Sequence, residues 1–312
     1  MRIVVPTFDR RVLRGRAAPA AGPRILTYHA IADVRDPRLA HYSVPPRLFE
    51  EQLTAVREAG YTFVTAADLL EHLDGRPLPP RSVLLTFDDA YESLLTAAAP
   101  VLARFGARGV VFVVTDQIGG HNAWDARTGT VVLPLLTAAQ LGTLRDAGWE
   151  IASHSARHAH LTAAARAGMR ADLRRSREVL DRLGLGTPRL LAYPYGEHDR
   201  RLRAEARRAG FAAALALTTA RGTPRPGARY ALPRIEVHRD TTPLALLGLL
   251  ADPPRSGVRH ALWREVRGPA GAARAALSRR RAPEAGRARP DGRDATVPPA
   301  SAPTPIAEGV HR

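Results

Sequence analysis

The chain has 312 residues, 45% of them hydrophobic, enough for one large domain or two small ones with a sizeable core. Its formal charge is +16, every basic residue is arginine, and there is no cysteine. Disulfides, thiolate metal sites and a cysteine nucleophile are thereby excluded, and any metal must be held by His, Asp or Glu. The basic balance fits nucleic acid, anionic lipid or an acidic polymer, and equally fits solvated surface arginines. No nucleic-acid recognition motif accompanies it, so no nucleic-acid partner is expected.

Residues 1–22 read as an N-terminal extension whose apolar run is broken by charges. It lacks the continuous apolar core of a secretory signal. No uninterrupted apolar stretch approaches the length of a membrane span, so the chain as written reads as cytoplasmic; an upstream start would change that. From Arg24 onward short apolar runs alternate with helical periods. "RILTYHAI" (24–31) predicts a strand. "PPRLFEEQLTAVREAG" (45–60) predicts a helix, with an early Pro, apolar Leu48, Phe49, Leu53 and Val56, and Gly60 as the stop. "TFV" and "TAADLLEHLDG" repeat strand then helix. "SVLLTFDD" (82–89) is a strand, and the helix after it contains Pro100, which predicts a kink or break. Strands at "GVVFVVT", "WEIASHS", "RLLAYPYG", "FAAALALT" and "ALPRIEV" come next, with helices at "TAAQLGTLRDAG", "LTAAARAGMRADLRRSREVLDRLG", "DRRLRAEARRAG" and "TTPLALLGLL".

This alternation over residues 23–251 predicts parallel strands covered by helices: an α/β, distorted (β/α) TIM-like barrel of about seven strands. Residues 252–312 are rich in Pro, Arg, Ala and Gly and read as a disordered tail. Within it, "GVRHALWREVRG" (257–268) sets Val258, Leu262 and Val266 four apart beside Trp263. Such a basic amphipathic helix suits a weak membrane-surface contact or packing on the domain.

The polar residues of interest fall at C-terminal ends of predicted strands: His29, Asp88, Asp89, His154 and Tyr195. Two adjacent carboxylates repel, so a buried strand ending in Asp88–Asp89 needs a compensating cation, a shared proton or solvent. At a strand end successive side chains diverge, so one carboxylate can bind a metal while the other faces substrate. The plain alternative is a helix N-cap. His154 and His158, four apart, can converge on one ion. One Asp and two His from separate strands make a facial set with open positions. Zn2+ is the default for those donors, and Co2+, Ni2+ or Fe2+ fit them too.

"TFDDAY", "SHSARH" and "AYPYG", in this order and spacing, resemble the polysaccharide deacetylase family (carbohydrate esterase family 4) over roughly residues 24–251. "YHAI" and "LPRIEV" are similar to the subgroup of poly-N-acetylglucosamine deacetylases. The resemblance implies a distorted (β/α) barrel and divalent-metal-dependent removal of acetyl groups from an N-acetylated glycan. It implies Asp89, His154 and His158 as metal ligands and Asp88 as general base. For the general acid it leaves His29, in "YHAI", ahead of His238. Pro194 and Tyr195 correspond to the groove wall that holds the acetyl group. Trp124 and Asp125 of "NAWD" suit stacking on a sugar ring and bonding a hydroxyl, against plain loop packing for Trp124. Two positions depart from the commoner family pattern. Ala90 stands where glycine is usual, which fits if the backbone there is ordinary. Ala192 stands where an arginine usually orients the base, and Arg234 is the candidate to replace that cation. Hydrolysis of a non-sugar amide at the same site, or a degenerate carbohydrate-binding protein, are the alternatives.

Overall fold

A computed structural model describes residues 22–126, 131–217 and 226–251. All but the last residue of the predicted extension at 1–22, the tail at 252–312 and its membrane-contact stretch at 257–268 lie outside the described residues. Among the described residues no helix is long and apolar enough to cross a membrane.

Among these residues eight strands pair in parallel: β1 (Arg24–Tyr28), β2 (Thr62–Val64), β3 (Ser82–Phe87), β4 (Gly109–Val113), β5 (Glu150–Ser153), β6 (Leu190–Ala192), β7 (Ala213–Leu217) and β8 (Leu232–Glu236). Seven of them close a ring. The order runs β1, β8, β7, β6, β5, β4, β3, and β3 returns to β1 in the register Arg24↔Val83 through Tyr28↔Phe87. β1 takes one edge of β3. The other edge is divided between β2, which pairs with Ser82–Leu84, and β4, which pairs with Leu85–Phe87. The (β/α) barrel of about seven parallel strands read from the sequence is the observed architecture.

Alternation along the strands separates two apolar layers. Ile25, Leu84, Val110, Phe112, Ala152, Leu190, Ala213, Leu215 and Leu232 form one buried cluster, the interior of the ring. Helix α2 (Ala66–Leu73) closes onto it through Leu69, Leu70 and Leu73. The alternate residues, among them Leu26, Tyr28, Leu85, Phe87, Val111 and Ile151, pack outward against α1 (Pro46–Glu58), α3 (Ala99–Arg104) and α5 (Ala138–Asp146), and the last helix of the series, Pro243–Leu250, joins them. On the far side Leu191, Tyr193, Ala214 and Ala216 pack against the helices Arg166–Arg182 and Arg200–Arg208. With the short α4 at Ala123–Ala126, these three are α6, α7 and α8 in chain order. The helices start where the sequence signals a start. Thr65 with Asp68, and Thr137 with Gln140, form complete capping boxes on α2 and α5. The break expected at Pro100 takes the form of a π turn, Leu94–Ala98, ahead of α3. Widening the preceding turn relieves the clash of the Pro ring with the carbonyl four residues earlier.

Gly109 opens β4 under the Trp149 ring, and a Cβ there would come within 2.5 Å of Trp149 and 2.8 Å of Phe87. Gly142 lies within α5, and a Cβ there meets nothing within 4 Å. Gly109→Ala is therefore expected to destabilise the domain by about 1–3 kcal/mol, and Gly142→Ala to stabilise it by about 0.5–1 kcal/mol. Urea melts should show midpoint shifts of opposite sign.

Candidate active site

The inward-facing rows of the barrel continue past the strand ends, and there they turn polar. Thr86 on β3 leads to Asp88, Ala152 on β5 leads to His154, and Leu232 on β8 leads to Arg234 and Glu236. Parity alone thus brings residues far apart in the chain to one rim of the ring.

Asp88 and Asp89 are both buried, at 2% and 5% exposure. The Asp88 amide still donates to the Tyr28 carbonyl, at 2.9 Å, as an extension of the β3–β1 ladder. The chain then turns left-handed, with φ of 72° at Asp89 and 61° at Ala90. The ordinary backbone that would suit Ala90 is therefore not what the structure has. An L-residue in that region costs on the order of 1–2 kcal/mol relative to glycine, and the neighbouring contacts must hold it there.

Arg234 answers the charge of Asp88. Its Nη1 donates to Oδ1 and its Nη2 to Oδ2, each at 2.7 Å, and the pair is almost fully buried. Its guanidinium also lies over the Phe112 ring, 5.4 Å from the centroid. Burial alone would raise the Asp88 carboxyl, but the Arg234 charge and then His154 outweigh it and hold Asp88 below the usual carboxylate range. Asp89 has no such partner. Burial first, then the charge of Asp88 and that of Asp125, push it well above the usual range.

What Asp89 faces is two imidazoles. Its Oδ1 lies 3.6 Å from His154 Nε2 and 3.4 Å from His158 Nε2. Two donors at about 2.1 Å from one ion and at a tetrahedral angle are about 3.4 Å apart, so this spacing suits a shared metal. Among the described residues these three side chains are the one such group whose ligand atoms lie mutually within 4.8 Å. His154 Nδ1 is 2.9 Å from the Ala192 carbonyl, which can only accept. The proton therefore sits on Nδ1, leaving the Nε2 lone pair aimed at Asp89. Burial lowers His154 to about 4, and burial with the neighbouring His154 lowers His158 well below its ordinary value, so both rings are neutral and able to ligate. Asp89 Oδ1 is buried with no hydrogen-bond partner. A bare carboxylate oxygen between two imidazole lone pairs is a donor set that fits a divalent cation.

Aromatic rings wall the set. Trp124 stacks on His158 with centroids 4.5 Å apart, so one face of the indole is already occupied. Tyr195 meets His158 edge-on at 4.6 Å and stacks on His160 at 3.9 Å, while remaining 43% exposed. It comes directly after the buried Pro194 and has φ of 58°. His160 Nδ1 is pinned 3.1 Å from Glu197. Asp125 accepts from Asn122 Nδ2 at 3.2 Å, and its own carboxyl is raised by burial.

His29 sits just past β1. Its Nδ1 is buried without a partner, and burial lowers its proton affinity while Asp88 and Glu236 act in the opposite sense. His238 lies 3.3 Å from Glu236 through Nε2 and stacks on His41 at 3.8 Å. The structure therefore gathers Asp88, Asp89, His154, His158, Arg234, Tyr195, Trp124, Asp125 and His29 about one rim, with His238 engaged beside Glu236. The sequence reading gave no role to Glu236 or His160. Glu236 was recoverable from its place two residues beyond Arg234 on the same strand face. His160 stacks on Tyr195, whose backbone turns left-handed, and nothing in "AYPYG" announces that turn.

Residues 75–214 match the model of the family described as polysaccharide deacetylase. The poly-beta-1,6-N-acetyl-D-glucosamine N-deacetylase of Staphylococcus epidermidis is 26% identical over 216 residues, covering 65% of this chain and 70% of that protein. The deacetylase domain of BpsB from Bordetella bronchiseptica is 27% identical with a TM-score of 0.54, covering 71% of this chain and 98% of that one. The deacetylase PplD of Streptococcus pyogenes, 24% identical, shares the fold with a TM-score of 0.64 over 75% of this chain and 100% of that one. The barrel thus has its counterpart in solved deacetylases, and residues 75–214 of the chain match the polysaccharide deacetylase family.

Proposed function

We propose that the chain is a divalent-metal-dependent N-deacetylase acting on an N-acetylhexosamine glycan of the poly-β-1,6-N-acetylglucosamine type. The observation that carries the reading is the convergence of Asp89 Oδ1, His154 Nε2 and His158 Nε2 beside an Asp88 clamped by Arg234. The substrate class is supported by the name of the Staphylococcus epidermidis relative. Held by Asp89, His154 and His158, a divalent ion, with Zn2+ the default, would polarise the acetamide carbonyl and acidify a water.

The chain's own residues do the rest. Asp88 is the proton acceptor. The fork of Arg234 occupies one lone pair on each carboxylate oxygen, and Oδ2 is the oxygen turned toward His154 Nε2, at 3.9 Å, so Oδ2 takes the water's proton. Its low proton affinity keeps it ionised at neutral pH and ready to accept. Tyr195 and Pro194 wall the acetyl group, and the backbone N–H of Tyr195 meets the developing oxyanion. Trp124 and Asp125 border the sugar. His29 delivers the proton to the leaving amine, because it feels the charge of Asp88 and makes no ion pair, whereas His238, whose Nδ1 is likewise unpartnered, has its Nε2 on Glu236 and its ring on His41.

Metal-reconstituted protein is expected to release acetate from β-1,6-linked N-acetylglucosamine oligomers. Asp88→Asn should reduce kcat by about 10²–10⁴-fold, and His154→Ala should lose both metal and activity. Stoichiometric metal with no cleavage of any N-acetylated glycan would turn the reading toward a non-sugar amide; a protein that binds no metal would remove it. His29→Ala is expected to lower kcat by about 10²-fold or more, with His238→Ala affecting it far less; the reverse order assigns the acid to His238. Arg234→Lys keeps the charge and loses the fork, so kcat/KM should fall about 100-fold. Arg234→Met leaves Asp88 buried and unpaired and should lower stability by about 3–5 kcal/mol in urea melts.

A further inference from the structure

The loop that carries both histidine ligands, residues 153–158, is held in an unfavourable backbone shape. Ser155 has φ of 70° and His158 has φ of 54°, although neither is glycine. A loop with two left-handed residues persists only where its surroundings over-determine it. One side of that support is the segment just past β4: the Thr115 amide donates to the Ser155 carbonyl at 3.3 Å, and the Asp116 amide donates to the Ala156 carbonyl at 2.9 Å. Within the loop, the Ser155 amide donates to Ser153 Oγ and the His158 amide to Ser155 Oγ.

The other side comes from α6. Its buried stripe is Met169, Asp172, Leu173, Ser176 and Leu180, apolar apart from two polar residues four apart. Those two face the loop. Asp172, 1% exposed, accepts from the Ala156 amide through Oδ1 at 2.8 Å and from Arg157 Nε through Oδ2 at 3.2 Å. Ser176 Oγ lies 2.7 Å from Ser153 Oγ. A carboxylate in the apolar face of a helix is costly unless it does something a Leu could not. Here it satisfies the buried amide midway between the two histidines, and it binds the side chain of the next residue. The oxygen-to-amide bond fixes Ala156 against α6, and Ala156 fixes the rotation of the chain on which His154 and His158 stand.

We infer that Asp172 is a positioning residue for the metal centre, acting through Ala156 and Arg157 to set the spacing of His154 and His158. This rests on the metal-site reading above. It touches neither the ion nor the substrate, so its effect should appear in metal affinity before it appears in chemistry.

The test measures equilibrium Zn2+ affinity of the full chain by competition with a chromophoric chelator, and the visible spectrum of the Co2+-loaded protein, with thermal melts of the metal-free proteins beside them. Asp172→Ala is expected to weaken Zn2+ binding by about 10–100-fold and to alter the Co2+ spectrum. Asp172→Ser, whose hydroxyl stops short of the Ala156 amide, carries the same expectation should the Ala variant fold poorly. Asp172→Asn keeps an acceptor for that amide and should restore most of the affinity. The control is Glu205→Gln on α7, a carboxylate that is likewise fully buried and is paired with Arg208 and with Arg166 and Arg170 in the first turns of α6, but makes no hydrogen bond to the 153–158 loop. It should lower the melting temperature and leave Zn2+ affinity unchanged. Asp172→Ala and Asp172→Ser proteins that bind Zn2+ as tightly as the parent overturn the inference and leave the proposed function standing. Equal weakening in Glu205→Gln also overturns it, by showing that any loss of stability is enough. A parent protein that binds no metal overturns the inference and the proposed function together.

Discussion

Two neighbouring carboxylates buried at the end of one strand set the terms for the rest of this molecule. Coulomb repulsion at that separation is strong in a medium of low dielectric, and burial leaves little solvent to screen it. The structure resolves the conflict by giving the two groups different surroundings. Asp88 receives a guanidinium whose planar fork matches both of its oxygens. Asp89 receives neutral imidazoles and no guanidinium, so its charge is left to an ion of the right size. The split also divides labour. A carboxylate locked to arginine cannot wander and stays ionised, and a carboxylate without a fixed cation is free to coordinate.

The barrel makes that arrangement by simple alternation. Each strand points every second side chain inward, and the rows that are apolar in the middle of the ring end in Asp, His, Arg and Glu at the rim. The geometric cost is concentrated there as well. Of the six non-glycine residues with positive φ among those described, five are Asp89, Ala90, Ser155, His158 and Tyr195. Each lies at or beside a side chain of the site. The strain persists because closure of the ring and the packing of α6 leave the backbone no other course.

Much of this could be read from the sequence. The strands and helices were marked by apolar period, by an early Pro and by a glycine stop, so the barrel came from alternation alone. Asp88, Asp89, His154 and His158 stood out because charged and imidazole groups ended otherwise apolar runs. Arg234 was named from the absence of an arginine at Ala192, and the structure has its guanidinium on Asp88. The features that stayed hidden depend on backbone hand and on packing between distant segments. Ala90 gave no sign of its positive φ, since alanine fits the ordinary regions better. Trp124 read as open to a sugar, and only the fold shows His158 under one of its faces. Asp172 was one of three acidic residues in an Arg-rich helix. Its period matched the buried stripe, but its partner is a backbone amide, which no side-chain pattern can reveal.

The Asp88–Arg234 pair joins residues 146 positions apart, and Arg234 lies on the strand that also closes the ring against β1. Neutralising the anion and sealing the sheet are therefore a single late event in the life of the chain. While the polypeptide emerges from its amino end, β1 and β3 can pair early, yet the acidic step at the end of β3 remains uncompensated until nearly the whole domain has been made. Until then both β1 and β7 present unpaired edges. Vectorial synthesis thus withholds burial of the Asp88 carboxylate until the barrel is complete, so the polar rim and the finished fold arrive together.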